Sequence, residues 1–459
     1  MKVLFVSNLF PNPHEPTRGI FNFHQVRHLA KLAEVRVVVP ISRSFIRGRY
    51  VTTKPVPPET ELDGLNVSHP VAWYLPSIGT PLNAWLYALS LAPVIKRIHH
   101  EFPFDVILAN WAYPDACGMA RIARHWKVPL VASISGSDVN VQMTLPTHRH
   151  QILHMLAQAS ATITRSQALK DVLVSHGAGA DKIKVLYNGV DATRFQPMSR
   201  HEARKALKIS DDERVIAYIG RLSPEKGVAD LLEAMALLKQ GILLKDVNIT
   251  NVPEIIWKSS QVDRDLRARS DAARRSASTS GCLDNDENVS KTVDEGARVR
   301  LLLVGHGRQH DKLVSLASSL GLHDRIIWAG MRPNHELAPY YNAADVACVP
   351  SHMEGVPNTA LEALACGIPV VGTRVGGIPE VLTDATGILV DPGQPQQLAE
   401  ALAVALGRTW DRSAIVAHSQ QFSWDTNARS LYELLEKSFE QKHAKIAKGK
   451  KMFCDFLKW

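Results

Sequence analysis

Short, almost wholly apolar runs alternate with amphipathic stretches along most of this chain. In the first part the runs Val3–Val6, Val35–Val39, Val106–Ala109, Leu130–Ile134, Ala161–Thr164 and Ile183–Leu186 read as strands. Phe21–Leu32, Leu82–His99, Gly118–His125 and Ala168–Ser175 carry helical periodicity. Strands this apolar leave neither face to water, so the alternation predicts a parallel sheet covered by helices, with right-handed crossovers. The pattern pauses over residues 187–200, YNGVDATRFQPMSR, where an Asn188-Gly189 turn and Pro197 interrupt it. It then restarts. Strands are predicted at Val215–Ile219, Val299–Val304, Ile326–Ala329, Val346–Val349 and Ile368–Val371, and helices at Val228–Leu238, Gln309–Leu320, Glu336–Asn342, Asn358–Cys366 and Pro395–Leu406.

The reading is α/β, with two doubly wound, Rossmann-like domains over residues 1–190 and 198–424. A chain of 459 residues exceeds what one hydrophobic core usually serves. An amphipathic helix at 425–440 is expected to pack back on the first domain, followed by a basic tail at 441–459. One stretch breaks the alternation. Helix-to-strand connections normally take a few residues, yet here about 241–296 intervene, with the polar composition of a disordered insertion. Its Asp284-Asn285-Asp286 triplet is set aside as a metal site because it lacks a rigid surround.

Charge adds a bias. Residues 1–200 hold 21 Lys and Arg against 12 Asp and Glu, within a chain of formal net charge +8. A basic first half suits phosphates or an anionic membrane surface; no basic helix interleaved with aromatics points to nucleic acid. Ala84–Ile95 is too short to cross a bilayer, but with Lys96, Arg97, His99 and His100 behind it, it reads either as a core helix or as one lying on a membrane. The five cysteines form no Cys-x-x-Cys pair, which suits reduced thiols in a cytosol. No signal peptide is read at the N-terminus, so the sequons at Asn66, Asn248 and Asn288 are discounted.

The candidate chemistry lies at strand ends, where open α/β sheets bind ligands. Residues 351–380, SHMEGVPNTALEALACGIPVVGTRVGGIPE, carry Glu354 and Glu362 around a helix start, with Pro357 expected at the first helical position and Gly367 closing the helix. Free N–H groups there favour an anion. After Val215–Ile219 comes Gly220-Arg221-Leu222-Ser223-Pro224-Glu225-Lys226-Gly227, where Arg221 and Lys226 frame a turn fit for a diphosphate. Gly305-His306-Gly307 and Gly330-Met331-Arg332 end the next two strands. Strand ends therefore converge on one pocket of a size for a nucleotide.

The set GRLSPEKG, LLLVGHG, the aspartate of NAADVACVPS and EGVPNTALEALACGIPVVGTRVGGIPEVL strongly resembles the family-4 retaining glycosyltransferases, whose two Rossmann-like domains face across a cleft in the GT-B fold. The opening MKVLFVSNLFP with RGIF, and FDVILANWAYPDACG with SGSDVN, look like the branch that builds bacterial cell-surface polysaccharides, including teichuronic-acid-type enzymes. The resemblance implies a nucleotide-diphosphate sugar donor, a glycan or lipid-linked acceptor, and no essential metal or cofactor. It implies that Arg221 and Lys226 hold the diphosphate, Glu362 the ribose and Glu354 the transferred sugar, with backbone at Val356, Pro357, Asn358 and Thr359 meeting sugar or phosphate. Gly305, Gly330 and Met331 complete the donor side, Gly19 approaches from the first domain, and Gly136, Ser137 and Asp138 face the acceptor. Many relatives place a histidine where this chain has Ser135, so no such histidine is assigned.

The acceptor is expected on the first domain, near the Arg43, Phe45, Arg47, Arg49, Tyr50 loop, at the cytoplasmic face of a membrane. Two other readings stay open: another enzyme on the same scaffold, such as a nucleotide-sugar epimerase or a phosphorylase with lysine-bound pyridoxal phosphate, and a non-catalytic nucleotide-sugar-binding protein.

Overall fold

The computed structural model describes residues 1–44, 56–240 and 298–456. The 241–296 insertion, the Asp284–Asp286 triplet and, of the expected acceptor loop, Phe45, Arg47, Arg49 and Tyr50 lie outside the described residues. Contacts divide the chain into two units, one made of residues 1–192, 354–361 and 419–459, the other of 193–353 and 362–418. Each is Rossmann-like.

The first unit contains β1 (Lys2–Val6), β2 (Glu34–Val38), β3 (Ile41–Ser44), β4 (Glu59–Leu62), β5 (Leu65–Ser68), β6 (Val71–Tyr74), β7 (Val106–Asn110), β8 (Leu130–Ile134), β9 (Ala161–Thr164) and β10 (Ile183–Val185). Its helices are α1 (Ile20–Leu29), α2 (Asn83–Glu101), α3 (Cys117–His125), α4 (Gly136–Asn140), α5 (Pro146–Gln158) and α6 (Gln167–Ser175). The main sheet runs β10-β9-β8-β7-β1-β2-β5-β4, parallel except for β4. β3 and β6 form a separate parallel pair. The four strands β3 to β6 were not expected from the pattern, because they are only four residues long and carry no long apolar run; β3, β4 and β6 are edges, and β5 lies between β2 and β4. The apolar run beginning at Ala84 forms a half-buried helix. One face of α2 buries Ala84, Tyr87, Leu91, Ile95 and Ile98 in the core, while Trp85 and Leu89 stand outside it.

The second unit contains α7 (Arg200–Leu207), β11 (Arg214–Ile219), α8 (Val228–Lys239), β12 (Val299–Val304), α9 (His310–Ser319), β13 (Ile326–Gly330), α10 (Ala338–Ala343) and β14 (Val346–Val349). After these come α11 (Asn358–Ala365), β15 (Val370–Thr373), α12 (Ile378–Val381), β16 (Gly387–Val390), α13 (Pro395–Gly407) and α14 (Arg412–Ser419). The sheet order is β13-β12-β11-β14-β15-β16, every pair parallel. The buried Arg204 guanidinium fixes its amino edge: Nη1 donates to the Ser210, Asp211 and Glu213 carbonyls at 3.1, 3.0 and 2.9 Å, and Nη2 to Asp345 Oδ2 at 2.9 Å. Asp345, the aspartate of the NAADVACVPS motif, also accepts from the Val215 N–H at 2.7 Å, so its role is structural.

A last helix, α15 (Trp424–Phe456), belongs to the first unit. It continues well past the end expected at 440, because residues 441–456 hold no proline and are rich in lysine and other residues that tolerate helix. Leu431 and Leu435 enter the first unit's core. Gln25 Nε2 donates to Asn427 Oδ1 at 2.7 Å, Arg165 Nη2 donates to Gln25 Oε1 at 2.9 Å and to Ser133 Oγ at 3.0 Å, and Asn427 Nδ2 donates to the Tyr187 carbonyl at 2.5 Å. His24 is buried here with its ring stacked 5.9 Å from Trp424.

Two buried carboxyls clamp the loops at the carboxyl ends of β1, β7 and β8. Asp115 accepts from the Asn8 backbone N–H at 2.7 Å and from Asn8 Nδ2 at 3.1 Å. Asp138 Oδ2 accepts from the N–H groups of Ala112 at 2.8 Å and Ser135 at 3.2 Å. Burial pushes Asp115 up to about 8 and Asp138 up to about 7, against the pull of those donors. The folded protein thus holds the Asp138 proton more tightly than the unfolded chain does, so this group's contribution to stability is present at acid pH and lost as pH rises towards about 7. Asp138→Asn keeps an acceptor for both N–H groups and removes the ionisation. Thermal unfolding at mildly acid and mildly alkaline pH should show the variant gaining on the wild type as pH rises, by on the order of a few kcal/mol; a pH-independent difference would contradict this account.

Candidate active site

The second sheet reverses its strand order between β11 and β14. Ligands of doubly wound sheets sit outside the carboxyl ends at such a point. The loops there are tied to one another through backbone. Gly220 N–H donates to the Val304 carbonyl at 2.9 Å, Gly305 N–H to the Gly330 carbonyl at 2.9 Å, and Leu222 N–H to the His306 carbonyl at 3.1 Å. The approach is close enough that a Cβ on Gly305, whose φ is +149°, would lie 1.8 Å from the Gly220 carbonyl oxygen. No other residue fits without moving the loop. The Glu225 carbonyl accepts from the N–H groups of His352 at 2.9 Å and Met353 at 3.3 Å, which fixes the β14 loop to the β11 loop just before Glu354.

Glu362 lies one turn inside α11 and is buried, 5% exposed. Its Oε1 accepts from Asn334 Nδ2 at 3.0 Å and its Oε2 from the Tyr341 hydroxyl at 2.8 Å. Arg194 Nη1 in turn donates to Asn334 Oδ1 at 2.8 Å. Burial raises the carboxyl to about 7 although both donors oppose the shift, and burial together with the neighbouring Glu362 charge drives the Tyr341 phenol well above its ordinary range. Each oxygen of this carboxyl keeps one acceptor position beyond the bond it already makes.

Arg221 and Lys226 stand in the loop between β11 and α8, Arg221 exposed and Lys226 half-buried. The Arg221 carbonyl accepts from the Tyr218 hydroxyl at 2.8 Å. Ser223 Oγ donates to Glu225 at 2.6 Å and holds that carboxyl below its usual range. His352 Nε2 is 2.6 Å from Asp230 Oδ2, in the first turn of α8. Beyond β13, Gly330 takes a positive φ of +69° and Met331 is 78% exposed. This unit therefore assembles Arg221, Lys226, Gly305, Gly330, Met331 and Glu362 along one sheet edge.

Residues 354–361 make their contacts in the first unit. Glu354, Asn358 and Thr359 are half-buried, Val356 and Pro357 buried. Pro357 is not the first helical residue: α11 begins at Asn358, and the Pro357 carbonyl accepts from the Leu361 N–H at 3.4 Å, so it caps the helix from outside. Asn358 Oδ1 accepts from Asn188 Nδ2 at 3.1 Å. The space at Gly136 opens towards the Gly355 backbone, whose nitrogen is 3.7 Å from the position of a Cβ. Ser137 lies within α4.

One first-unit residue differs from the expectation. Asp138, expected to face an acceptor, is fully buried and spends its carboxyl on loop N–H groups. Gly19, half-exposed, has φ +60°, and a Cβ there would lie 2.2 Å from the Leu9 carbonyl oxygen, so the position requires glycine for the backbone's own packing. Sequence reasoning missed Asn334, Tyr341 and Arg194, which hold Glu362, and the Asp230–His352 pair. Asn334 stands two residues past the Gly-Met-Arg strand end, and Tyr341 immediately precedes the NAADV motif, so proximity to those motifs was the available signal.

Comparison with known proteins identifies the family. Residues 19–194 match the model of glycosyltransferase family 4, and residues 199–252 and 284–408 match glycosyl transferases group 1. The chain is 30% identical to a D-inositol 3-phosphate glycosyltransferase of Actinosynnema mirum, over 90% of this chain and 91% of the relative. It is 26% identical to the putative teichuronic acid biosynthesis glycosyltransferase TuaC of Bacillus subtilis, over 88% of each. Among solved structures, Anabaena HepE in complex with UDP superposes with a TM-score of 0.63 at 21% identity, covering 95% of this chain and 100% of that one. That likeness extends to the fold, which is the GT-B arrangement of two Rossmann-like halves. Both halves of the chain match, and it belongs to the family-4 glycosyltransferases.

Proposed function

We propose that this protein is a retaining glycosyltransferase that moves a sugar, of the hexosyl type, from a nucleoside-diphosphate sugar to a glycan or lipid-linked acceptor in cell-surface polysaccharide synthesis. The observation that carries the donor half is the edge of the second sheet, where Arg221 and Lys226 flank the start of α8 and Glu362 is held one turn inside α11. Support comes from HepE, solved with UDP and with UDP-glucose, and for the acceptor class from the name of the Bacillus subtilis relative.

Departure of the nucleoside diphosphate places negative charge on phosphate oxygen and positive character on the anomeric carbon. Arg221 and Lys226 stabilise the first, aided by N–H groups at the α8 start. Glu354 stabilises the second. The open acceptor positions of Glu362 take the ribose hydroxyls, with Asn334 and Tyr341 fixing its rotamer. The departing phosphate takes the proton of the acceptor hydroxyl as that oxygen attacks from the same face, so the configuration is retained. None of these steps routes through a metal. The reaction takes place on the cytoplasmic side of a membrane, where nucleotide sugars are available.

Turnover of a panel of nucleotide sugars, read as release of the nucleoside diphosphate, tests the assignment. Glu354→Ala, Glu362→Ala and Lys226→Ala should each lower kcat/KM at least about a hundredfold; full activity in any two overturns it. Tyr341→Phe and Asn334→Ala should act on donor binding, raising KM about tenfold with kcat within about twofold. A fall in kcat alone would remove the ribose role from Glu362.

A further inference from the structure

The outer face of α2 carries an apolar stripe that no part of the described chain covers. Leu82, Trp85 and Leu89 are 55%, 50% and 52% exposed, and their spacing puts them on one helical line. Exposed Ala92 and Pro93 extend the line, and Lys96 and His100 continue it as charge. Trp73 of β6, 40% exposed, stands beside it: its N–H donates to Ser90 Oγ at 3.1 Å. Arg43 is the register partner of Trp73 in the β3–β6 pair. Against Leu82 and Trp85 lies a shallow groove of 430 Å³ lined also by Pro81, Arg121 and Gln151.

The charge around this face is predominantly positive. No Asp or Glu occurs between Asp63 and Glu101, and between Asp115 and Asp171 the one acid is the buried Asp138. α2, α3 and the turn after α3 therefore bring Lys96, Arg97, Arg121, Arg124 and Lys127 to the surface, with Glu101 the one carboxylate on those elements. Arg97 is paired with Glu59 at 2.9 Å; Arg43, Lys96, Arg121 and Arg124 form no ion pair among the described residues. Tryptophan and leucine on an exposed helix face, bordered by more cations than acids, are the complement of an anionic bilayer, where indole rings sit at headgroup depth and lysines and arginines meet phosphate. No helix among the described residues is long and apolar enough to cross a membrane.

We propose that this face of α2 docks on an anionic lipid surface, with Trp85 and Leu89 inserted at the headgroup boundary and Arg43, Lys96 and Arg121 against lipid phosphates. This deepens the lipid-linked reading of the acceptor, and its test needs neither donor nor acceptor. Full-length protein is floated with vesicles of mixed phosphatidylglycerol and phosphatidylcholine and with vesicles of phosphatidylcholine alone. The wild type should bind the first, less at high salt, and not the second. A Trp85→Asp, Leu89→Asp double variant should lose at least about tenfold in partitioning, as should a Lys96→Glu, Arg121→Glu variant, each with the nucleotide-sugar turnover of the wild type. No binding by the wild type, equal binding to neutral vesicles, or unchanged binding by both variants overturns the proposal. So does self-association of the wild type that the Trp85→Asp, Leu89→Asp variant abolishes, since a second copy would then cover the face. Variants that lose vesicle binding in a protein that proves to use a soluble acceptor leave the docking face standing and remove the lipid-linked reading.

Discussion

Parallel pairing from β13 through β16 puts every carboxyl end of the second sheet on one edge, and the chemistry of that unit depends on this constraint. With the strand order reversing between β11 and β14, neighbouring loops leave the sheet towards opposite faces and expose backbone that must find partners. Here the loops satisfy one another: Gly220 with Val304, Gly305 with Gly330, Leu222 with His306, and Glu225 with His352 and Met353. Arg221, Lys226 and the lead-in to Glu354 thereby occupy positions set by backbone bonds, reinforced by the Tyr218 hydroxyl on the Arg221 carbonyl and by His352 against Asp230.

Glu362 shows the other means of preorganisation. A carboxyl raised to about 7 by burial is costly in its charged form; two neutral donors, Asn334 and Tyr341, offset part of that cost and fix its orientation. The first unit repeats the device with a different purpose. Asp115 and Asp138, also raised by burial, fasten the loops after β1, β7 and β8.

How much of this was legible depended on how local each signal was. Long apolar runs marked every central strand of both sheets, because burial on both faces leaves no polar alternation. The strands from Ile41 to Tyr74 were illegible for the converse reason: edge position allows ETEL and ISRS, and β5 beside the edge is only four residues, LNVS. Arg221, Lys226 and Glu362 could be read because they are polar residues placed directly at strand ends or a helix start. Tyr341 and Asn334 could not, since their meaning arises only when α10 and the β13 loop pack beside α11. Asp138 was misread for a related reason. A carboxylate after a strand end looks like a ligand group, and only burial reveals that backbone N–H groups already use it. The α2 face needed the fold to decide which half of an apolar run is core.

The most direct test of the central claim is thermal unfolding of the full chain with nucleosides, nucleoside monophosphates and nucleoside diphosphates in turn. A diphosphate site at the β11 loop predicts that one nucleoside diphosphate raises the unfolding midpoint well beyond its monophosphate, and that Lys226→Ala removes the difference. Equal shifts for mono- and diphosphates, or a diphosphate shift that survives in Lys226→Ala, would contradict it.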